Sequence, residues 1–309
     1  MLSGVGELIT LPQGALRDED SLAAALSGCS AVVTQHTDRI GDRLLATAGL
    51  RLVANVAVGH DNIDLEAAAR RHVLVTNTPG IVDETTADLA FALLLAAARR
   101  LSEADREVRA GAWTGFTLTY MLGQEVHGST LGVIGLGRVG RAVARRARSF
   151  NMPVVYHNRN RLPEAEEREL GVEWVPLAEL LRRSDFVSLH VPLNGATRHL
   201  IGPEELALMK PSAVLVNTAR GPVIDEAALA RALEQGGIFA AGLDVYEDEP
   251  RVSPELRRLP NVVLAPHVGS ATVRTRTLMC TTAAANVEAL LRGGRPPHIL
   301  NPEVWDSSR

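Results

Sequence analysis

Residues 131–150, LGVIGLGRVGRAVARRARSF, contain the clearest structural signal in the chain. Four apolar residues lead into three glycines, Gly135, Gly137 and Gly140, and apolar residues then recur at helical spacing. A strand, a glycine turn and a helix in this order are typical of a dinucleotide-binding motif. The first glycine permits the turn, the second lets the backbone approach a pyrophosphate, and the third lets helix and strand pack closely. We predict that the start of this helix binds a pyrophosphate; the alternative is a tight turn without a ligand.

Short apolar runs alternate with helical patterns on both sides of this motif. We predict strands at 31–34, 52–56, 73–76, 131–134, 153–157, 186–190, 213–217, 239–243 and 262–265. We predict helices at 39–48, 64–71, 138–149, 164–170, 177–183, 203–209 and 225–235. Apolar strands separated by helices indicate parallel sheets covered on both faces, so we expect an α/β protein with two Rossmann-like, doubly wound domains.

Two long helical stretches, 84–109 and 271–292, are predicted to connect these domains. We therefore expect a discontinuous substrate domain, 1–92 plus 278–309, and a dinucleotide-binding domain at 93–277. Small ligands commonly bind in the cleft between two such domains. The first stretch begins apolar and ends charged, and we expect its apolar half to pack against a second copy in a homodimer. The alternative is burial between the domains.

Composition excludes several classes of function. The chain has 32 lysines and arginines against 36 acidic residues, so its net charge of −4 gives no basis for a nucleic-acid or membrane-surface partner. Two cysteines and no metal-binding histidine spacing predict no metal site. The longest apolar run, 89–98, is about half a membrane span. No basic signal segment precedes Arg17, the first cation, so we expect a cytoplasmic protein.

Cofactor preference is predicted from residues 156–161, YHNRNR, at the end of the next strand. An NAD site usually has an acidic residue there, which accepts a hydrogen bond from the ribose 2′-hydroxyl. Here Asn158 is followed by Arg159 and Arg161, and a guanidinium can bind a 2′-phosphate. Because each such bond contributes about 1.5–3 kcal/mol, we expect NADP(H) to be preferred, with NAD(H) also accepted. The alternative is that both arginines are only solvated.

Three motifs at predicted strand ends, VNTARGPVID, GLDVYEDEP and APHVGSAT, supply candidate catalytic residues. Ligands of open α/β sheets lie beyond the carboxyl ends of the strands, so Arg220, Glu249 and His267 can meet there. A guanidinium grips a carboxylate, and histidine transfers protons near neutral pH. A carboxylate on the second ring nitrogen would keep the imidazole charged. The alternatives are a buried structural histidine, a surface ion pair for the arginine, and Glu247 or Asp248 in place of Glu249.

With these motifs the chain resembles the D-2-hydroxyacid dehydrogenase family, and within it the glyoxylate/hydroxypyruvate reductases. The similar segments, in the family's order, are VANVAVGHDNID, TNTPGIVDETTADLAFALLLAAAR, GVIGLGRVG, SDFVSLHVPL, LMKPSAVLVNTARG, AGLDVYEDEP and LAPHVGSAT. The resemblance implies an NAD(P)-dependent oxidoreductase that reduces a small 2-oxo acid. In it His267 would be the acid/base, Glu249 its partner, and Arg220 a substrate ligand.

The resemblance also implies further contacts. The substrate carboxylate would meet the backbone N–H groups of Val58 and Gly59, besides Arg220 and His267. The cofactor would meet Thr86, Leu136, Gly137, Arg138, Val139, Asn158, Arg159, Asn160, Thr218, Ala219, Asp244, His267 and Gly269. Leu136 to Val139 would face the pyrophosphate, and Asn158 to Asn160 the adenosine end.

The chain departs from the family in two places. Relatives usually open with an extra strand and helix before the segment VGELITL, which we expect to be part of a second strand. Phe116 and Leu118 stand near places where close relatives carry a tryptophan and a proline, so the contacts of that loop are not predicted. Two other functions remain open: reduction of a branched or aromatic 2-oxo acid, and a dinucleotide-sensing, corepressor-like binding protein.

Overall fold

Parallel strands form two separate sheets in this protein. The structure, a computed structural model, describes residues 2–11 and 19–307. The chain divides into two units, Met1–Val82 with Ala271–Arg309, and Asp83–Ser270. The strands are β1 (Ala31–Thr34), β2 (Leu52–Asn55), β3 (Leu74–Thr76), β4 (Leu131–Ile134), β5 (Val154–His157), β6 (Val172–Trp174), β7 (Phe186–Leu189), β8 (Val214–Asn217), β9 (Ala240–Leu243) and β10 (Val262–Leu264).

Helices fill most of the connections between these strands. The α-helices are α1 (Glu19–Ala25), α2 (Asp42–Leu45), α3 (Leu65–Arg70), α4 (Asp83–Ala98), α5 (Leu101–Arg109), α6 (Arg138–Arg148), α7 (Glu164–Leu170), α8 (Leu177–Arg183), α9 (Pro203–Leu208), α10 (Glu226–Glu234), α11 (Pro254–Arg258), α12 (Val273–Leu291) and α13 (Pro302–Ser307). Short 3₁₀ turns occur at Leu2–Gly4 and Gly221–Val223. Among the described residues, no helix has both the length and the apolar character needed to cross a membrane.

The first unit is built on a three-stranded sheet of order β1-β2-β3, with all strands parallel. One face, which includes Val53 and Val75, packs against Leu44 and neighbouring apolar residues. The other face packs against α12, so both faces are covered.

The strand expected near the N-terminus is absent from residues 2–11. Leu2–Gly4 form a 3₁₀ turn and the following residues are irregular. Leu8 and Ile9 are 63% and 56% exposed. Because these apolar side chains bury little surface, packing gives the segment no reason to join the sheet, and the prediction of a strand there is wrong.

The second unit contains a seven-stranded parallel sheet of order β10-β9-β8-β7-β4-β5-β6. Strand order reverses beside β4, which pairs with β5 on one side and β7 on the other. In doubly wound sheets this switch point marks where ligands bind, outside the carboxyl ends of the strands. The predicted α/β class with a Rossmann-like, doubly wound parallel sheet is confirmed.

The helical stretch predicted at 84–109 is two helices, α4 and α5. They are separated at Arg100, whose φ of 53° is left-handed and ends a right-handed helix. The apolar side of α4, including Phe91 and Leu94, is buried against α6 and the strands of its own unit. Its predicted packing against a second copy, or between domains, stays a prediction. The predicted domain boundary at residue 92 falls inside this helix, whereas α4 lies wholly in the second unit.

Candidate active site

The glycine turn joins β4 to α6 at the switch point, and two of its glycines are required by close packing. Gly135 has a φ of 94°, and a Cβ there would lie 2.7 Å from the carbonyl of His190. A Cβ at Gly140 would lie 2.3 Å from the carbonyl oxygen of Gly135. At Gly137, the N-cap of α6, a Cβ would meet nothing within 4 Å, and no side chain caps the helix. The start of α6 is therefore open at Gly137, with no side chain in the place where helix N–H groups would bind an anion such as a pyrophosphate.

Asn158 supports this turn from the neighbouring strand end. Its Oδ1 accepts a hydrogen bond from the Leu136 N–H at 2.6 Å, and its carbonyl oxygen accepts one from Trp174 Nε1 at 3.2 Å. The side-chain oxygen is therefore already used by the turn, and the side chain has no negative charge to offer a ribose hydroxyl.

The two arginines after Asn158 differ in their surroundings. Arg161 forms two hydrogen bonds, of 2.9 and 2.7 Å, with the buried Glu167 carboxylate, which also accepts one from Tyr156 Oη at 2.6 Å. Arg161 and then Tyr156 lower the pKa of Glu167 to about 2. Arg159 is exposed and makes no ion pair or hydrogen bond with the described residues. Of the two, Arg159 is the side chain available to a ligand.

Thr218, after β8, has a polar group that a polar ligand would satisfy. Its hydroxyl is buried and has no hydrogen-bond partner among the described residues. A buried unpaired hydroxyl costs free energy unless something completes it. Because the residue follows β8, this hydroxyl lies at the edge of the sheet where a dinucleotide would end.

Asp244 has a structural task that the sequence analysis missed. Its buried carboxylate accepts hydrogen bonds from the N–H groups of Val268 and Gly269, at 2.7 and 2.8 Å, and its carbonyl accepts from the His267 N–H at 2.9 Å. Burial raises the pKa of Asp244, while the two backbone donors lower it. Thr86 Oγ1 donates to the Gly269 carbonyl at 3.5 Å. Asp244 and Thr86 thus hold the turn that bears His267.

His267 is bonded to Glu249 in the structure. Its Nδ1 lies 2.7 Å from Glu249 Oε2, and both side chains are about a quarter exposed, at 28% and 25%. The neighbouring acids are engaged elsewhere: the Glu247 carboxylate bonds to His199, and Asp248 pairs with Arg251. Of the three adjacent acids, Glu249 is therefore the one placed to orient the imidazole.

Arg220 lies on the same edge of the sheet as this pair. It follows β8, while Glu249 follows β9 and His267 follows β10, and these strands are consecutive neighbours in parallel register. The half-buried guanidinium donates to the Ala219 carbonyl at 2.9 Å, and Asn217 Nδ2 donates to the Arg220 carbonyl at 2.9 Å. A guanidinium and a hydrogen-bonded carboxylate–imidazole pair thus follow neighbouring strands.

Val58 and Gly59 belong to the first unit, in the loop after β2. Their carbonyls accept hydrogen bonds from Asn77 Nδ2 and Asn55 Nδ2, both at 2.9 Å. Within the described chain, the N–H groups of Val58 and Gly59 make no hydrogen bond. The two asparagine side chains therefore hold this loop in place, and its two N–H groups can donate to a ligand.

A histidine held by a carboxylate, in a sheet whose switch point has an uncapped glycine turn, is the arrangement expected of a nicotinamide dinucleotide-dependent oxidoreductase. Comparison with known families makes this specific. Residues 91–269 match the model of the D-isomer specific 2-hydroxyacid dehydrogenase NAD-binding domain. The chain belongs to this family of NAD(P)-dependent enzymes, which interconvert 2-hydroxy and 2-oxo acids, and the predicted resemblance is confirmed.

Individual relatives agree with this assignment. The chain is 51% identical to a glyoxylate reductase of Thermococcus litoralis over 283 residues, which cover 90% of this chain and 85% of the relative. It is 53% identical to a glyoxylate reductase of Korarchaeum cryptofilum, over 89% of this chain and 84% of the relative.

Solved structures are also similar. A glyoxylate reductase from Paecilomyes thermophila superposes with a TM-score of 0.87 at 38% identity, covering 98% of this chain and 93% of the other. An NADPH-dependent glyoxylate/hydroxypyruvate reductase from Sinorhizobium meliloti, solved with NADP and malonate, gives 0.83 at 35% identity, covering 92% and 87%.

Proposed function

We propose that this protein reduces glyoxylate or hydroxypyruvate to the corresponding 2-hydroxy acid, with NADPH preferred as reductant and NADH also accepted. The observation that best supports this proposal is the 2.7 Å hydrogen bond between Glu249 and His267, on the sheet edge that also bears Arg220. The names of the similar proteins support a small 2-oxo acid as the substrate.

Two side chains act on the substrate. Arg220 binds the 2-oxo acid through its carboxylate and carbonyl, because the planar guanidinium matches two oxygen acceptors. His267 donates the proton that the carbonyl oxygen gains when it becomes a hydroxyl. Since Nδ1 is hydrogen-bonded to Glu249, Nε2 is the atom that makes this transfer, and the Glu249 carboxylate fixes the orientation of the ring.

The cofactor supplies the hydride when it is bound. Leu136, Gly137, Arg138 and Val139 are assigned to its pyrophosphate, Asn158, Arg159 and Asn160 to its adenosine end, and Thr86, Thr218, Ala219, Asp244, His267 and Gly269 to its nicotinamide end. Arg159 pairs with the 2′-phosphate, since Arg161 is engaged by Glu167. The N–H groups of Val58 and Gly59 bind the substrate carboxylate.

Purified protein, NADPH and a panel of 2-oxo acids test this function. We expect the absorbance of NADPH at 340 nm to fall fastest with glyoxylate or hydroxypyruvate, and kcat/KM to be higher with NADPH than with NADH. A preference for branched or aromatic 2-oxo acids would replace the substrate assignment. Binding of NADPH without turnover of any 2-oxo acid would favour the corepressor-like binding protein.

We also infer that a second copy of the chain is a partner, and that α5 and the segment after it take part in the contact. Helix α5 has no buried residue, and Leu101 and Val108 on it are 62% and 61% exposed. Phe116 and Leu118, in the segment after it, are 81% and 85% exposed. Exposed apolar side chains concentrated in one stretch of chain are typical of a protein–protein interface.

A further inference from the structure

The loop Tyr246–Pro250, between β9 and α11, determines where Glu249 lies. Both carboxylate oxygens of Glu249 are in use: Oε2 bonds to His267 Nδ1 at 2.7 Å, and Oε1 accepts from the Tyr246 N–H at 3.0 Å. Tyr246 Oη in turn donates to the Ala265 carbonyl at 2.8 Å, two residues before His267. A displacement of this loop would therefore pull Glu249 away from the imidazole.

Glu226, the first residue of α10, holds the loop through a hydrogen bond. Its side-chain Oε1 accepts a hydrogen bond from the backbone N–H of Glu247. Glu226 is only 8% exposed, although Glu247, Asp248 and Glu249 lie close to it. Burial first, and then these acidic neighbours, raise its pKa, while the bond from Glu247 lowers it. A buried carboxylate beside like charges is costly, and this hydrogen bond is its compensating contact.

Two further contacts restrict the same backbone. His199 Nε2 bonds to the Glu247 carboxylate, and Arg198 lies 4.0 Å from it. Gly221, next to Arg220, fits so tightly that a Cβ there would lie 1.8 Å from the Tyr246 carbonyl carbon. The loop is thus fixed against the segment that bears Arg220, and Glu226 is the buried side chain that completes this hold.

We propose that Glu226 is a positioning residue for the reaction: by binding the Glu247 N–H it sets the loop so that Glu249 stays on His267. This inference rests on the proposed function, in which Glu249 and His267 form the acid/base pair. Glu226 contacts the Glu247 N–H and acts through the loop. It has no role as a proton donor or as a ligand of the substrate.

Three substitutions at Glu226 in the full chain separate the effect of its hydrogen-bond acceptor from the effect of its negative charge. Glu226→Gln keeps an oxygen acceptor and removes the charge, Glu226→Ala removes the acceptor, and Glu226→Asp withdraws it by one methylene while keeping the charge. Glu234→Ala, an exposed residue of the same helix, is the matched control. Circular dichroism and the melting temperature establish that each variant is folded. If Glu226→Ala does not fold, Glu226→Asp takes its place in the comparison.

The readouts are kcat, KM for glyoxylate, and the far-downfield ¹H NMR signal of the His267 Nδ1–H in the protein without substrate. We expect Glu226→Ala and Glu226→Asp to lower kcat about tenfold, as misplacement of a catalytic group does, with little change in KM. We expect the same two variants to broaden or lose the downfield signal. Glu226→Gln and Glu234→Ala should retain both.

Three outcomes would overturn the inference: a kcat of Glu226→Ala within twofold of wild type, a lost kcat with an intact downfield signal, or a Gln variant as impaired as the Ala variant. Glu249→Gln distinguishes this failure from failure of the proposed function. If Glu249→Gln leaves kcat and the signal unchanged, the acid/base pair itself is wrong. If it removes them while Glu226→Ala does not, only the role of Glu226 is wrong.

Discussion

His267 has a φ of 52°, a left-handed conformation that costs a non-glycine residue about 1–2 kcal/mol. Asp244 offsets this cost by accepting three backbone hydrogen bonds from the turn, one at its carbonyl and two at its carboxylate. The strained turn therefore fixes the orientation of the imidazole ring towards Glu249, because the turn has little freedom to rotate.

At this scale, Glu249→Gln tests the proton donor. The amide can still bond to His267 Nδ1, but the bond no longer has the help of a carboxylate charge, so the ring is held less firmly for proton transfer. We expect kcat for 2-oxo acid reduction to fall about 10- to 100-fold, with little change in KM. Measurement of kcat and KM decides this, and an unchanged kcat would remove the role of Glu249.

Arg159 and Arg161 form a matched pair for cofactor preference. Arg159→Ser should lower kcat/KM for NADPH about 10-fold or more and leave NADH nearly unchanged, because one charge-assisted contact to the 2′-phosphate is lost. Arg161→Ser should affect the cofactors equally, since this guanidinium is bonded to Glu167. Initial rates with both cofactors test the pair, and an NADPH preference that survives in Arg159→Ser contradicts the assignment.

The residues of the site differ in how far the sequence could predict them. Arg220, His267 and the glycines stand in motifs whose spacing indicates a role. The residues alone left Glu247, Asp248 and Glu249 open, and only the resemblance to the family favoured Glu249. In the structure the loop conformation separates the three acids and places Glu249 on His267. Asp244 and Glu226 were missed as anchors since their partners are backbone N–H groups, which leave no trace in side-chain patterns.

At the scale of elements, the β4–α6 contact separates the glycine that packs from the glycine that binds. Gly140→Ala places a methyl group 2.3 Å from the Gly135 carbonyl oxygen, so we expect it to destabilise the unit by about 1–3 kcal/mol. At Gly137 an added Cβ meets nothing within 4 Å, so Gly137→Ala should keep its melting temperature and weaken NADPH binding.

Calorimetric melting and titration of NADPH distinguish these two substitutions. The expected result is a lower melting temperature for Gly140→Ala only, and a higher Kd with unchanged melting for Gly137→Ala. Equal melting temperatures in the two variants would show that the turn does not pack as closely as the structure has it.

The end of β7 predicts a pH dependence of stability. Burial lowers the pKa of His190 from 6.5 to about 3, and its Nε2 lies 2.8 Å from Ser188 Oγ. Since the unfolded chain binds a proton more readily below pH 6.5, this group makes the folded state less stable as pH falls from 6.5 toward 3. The slope is at most about 1.4 kcal/mol per pH unit.

Denaturant unfolding at pH 6.5, 5.5 and 5.0 measures this effect. We expect His190→Gln to lose part of the decline in unfolding free energy that the wild type shows over this range. Equal slopes for the two proteins would mean that His190 is not the group that titrates.

Strands and helices were predicted with different success for physical reasons. Four-residue strands that are mostly apolar, such as β4 and β7, were placed within one residue of their bounds. Strand β6 was missed because it has three residues with a glutamate in the middle, and so shows no apolar run. The break between α4 and α5 was missed because Arg100 adopts its left-handed conformation without a glycine or proline to signal it.

At the scale of the whole molecule, the sequence predicted a parallel α/β fold because its strands are apolar throughout, as in sheets covered on both faces. Which surface meets a second copy could not be predicted in the same way, because an apolar helix pattern is the same whether the helix packs in its own chain or against another. In the structure α4 has buried residues on its apolar side, whereas α5 has none.

The segment after α5 presents two exposed apolar side chains that a second copy would cover. Phe116→Ser with Leu118→Ser replaces two side chains that are 81% and 85% exposed, so it should leave the folded chain intact. If a second copy covers them, burial of each stabilises the dimer by about 1.5–3 kcal/mol, and the double variant should dissociate at concentrations where the wild type is dimeric. Light scattering coupled to gel filtration measures the mass, with Val273→Ser, 88% exposed on α12, as the control. A monomeric wild type, or a double variant as dimeric as wild type, would place the interface elsewhere or remove it.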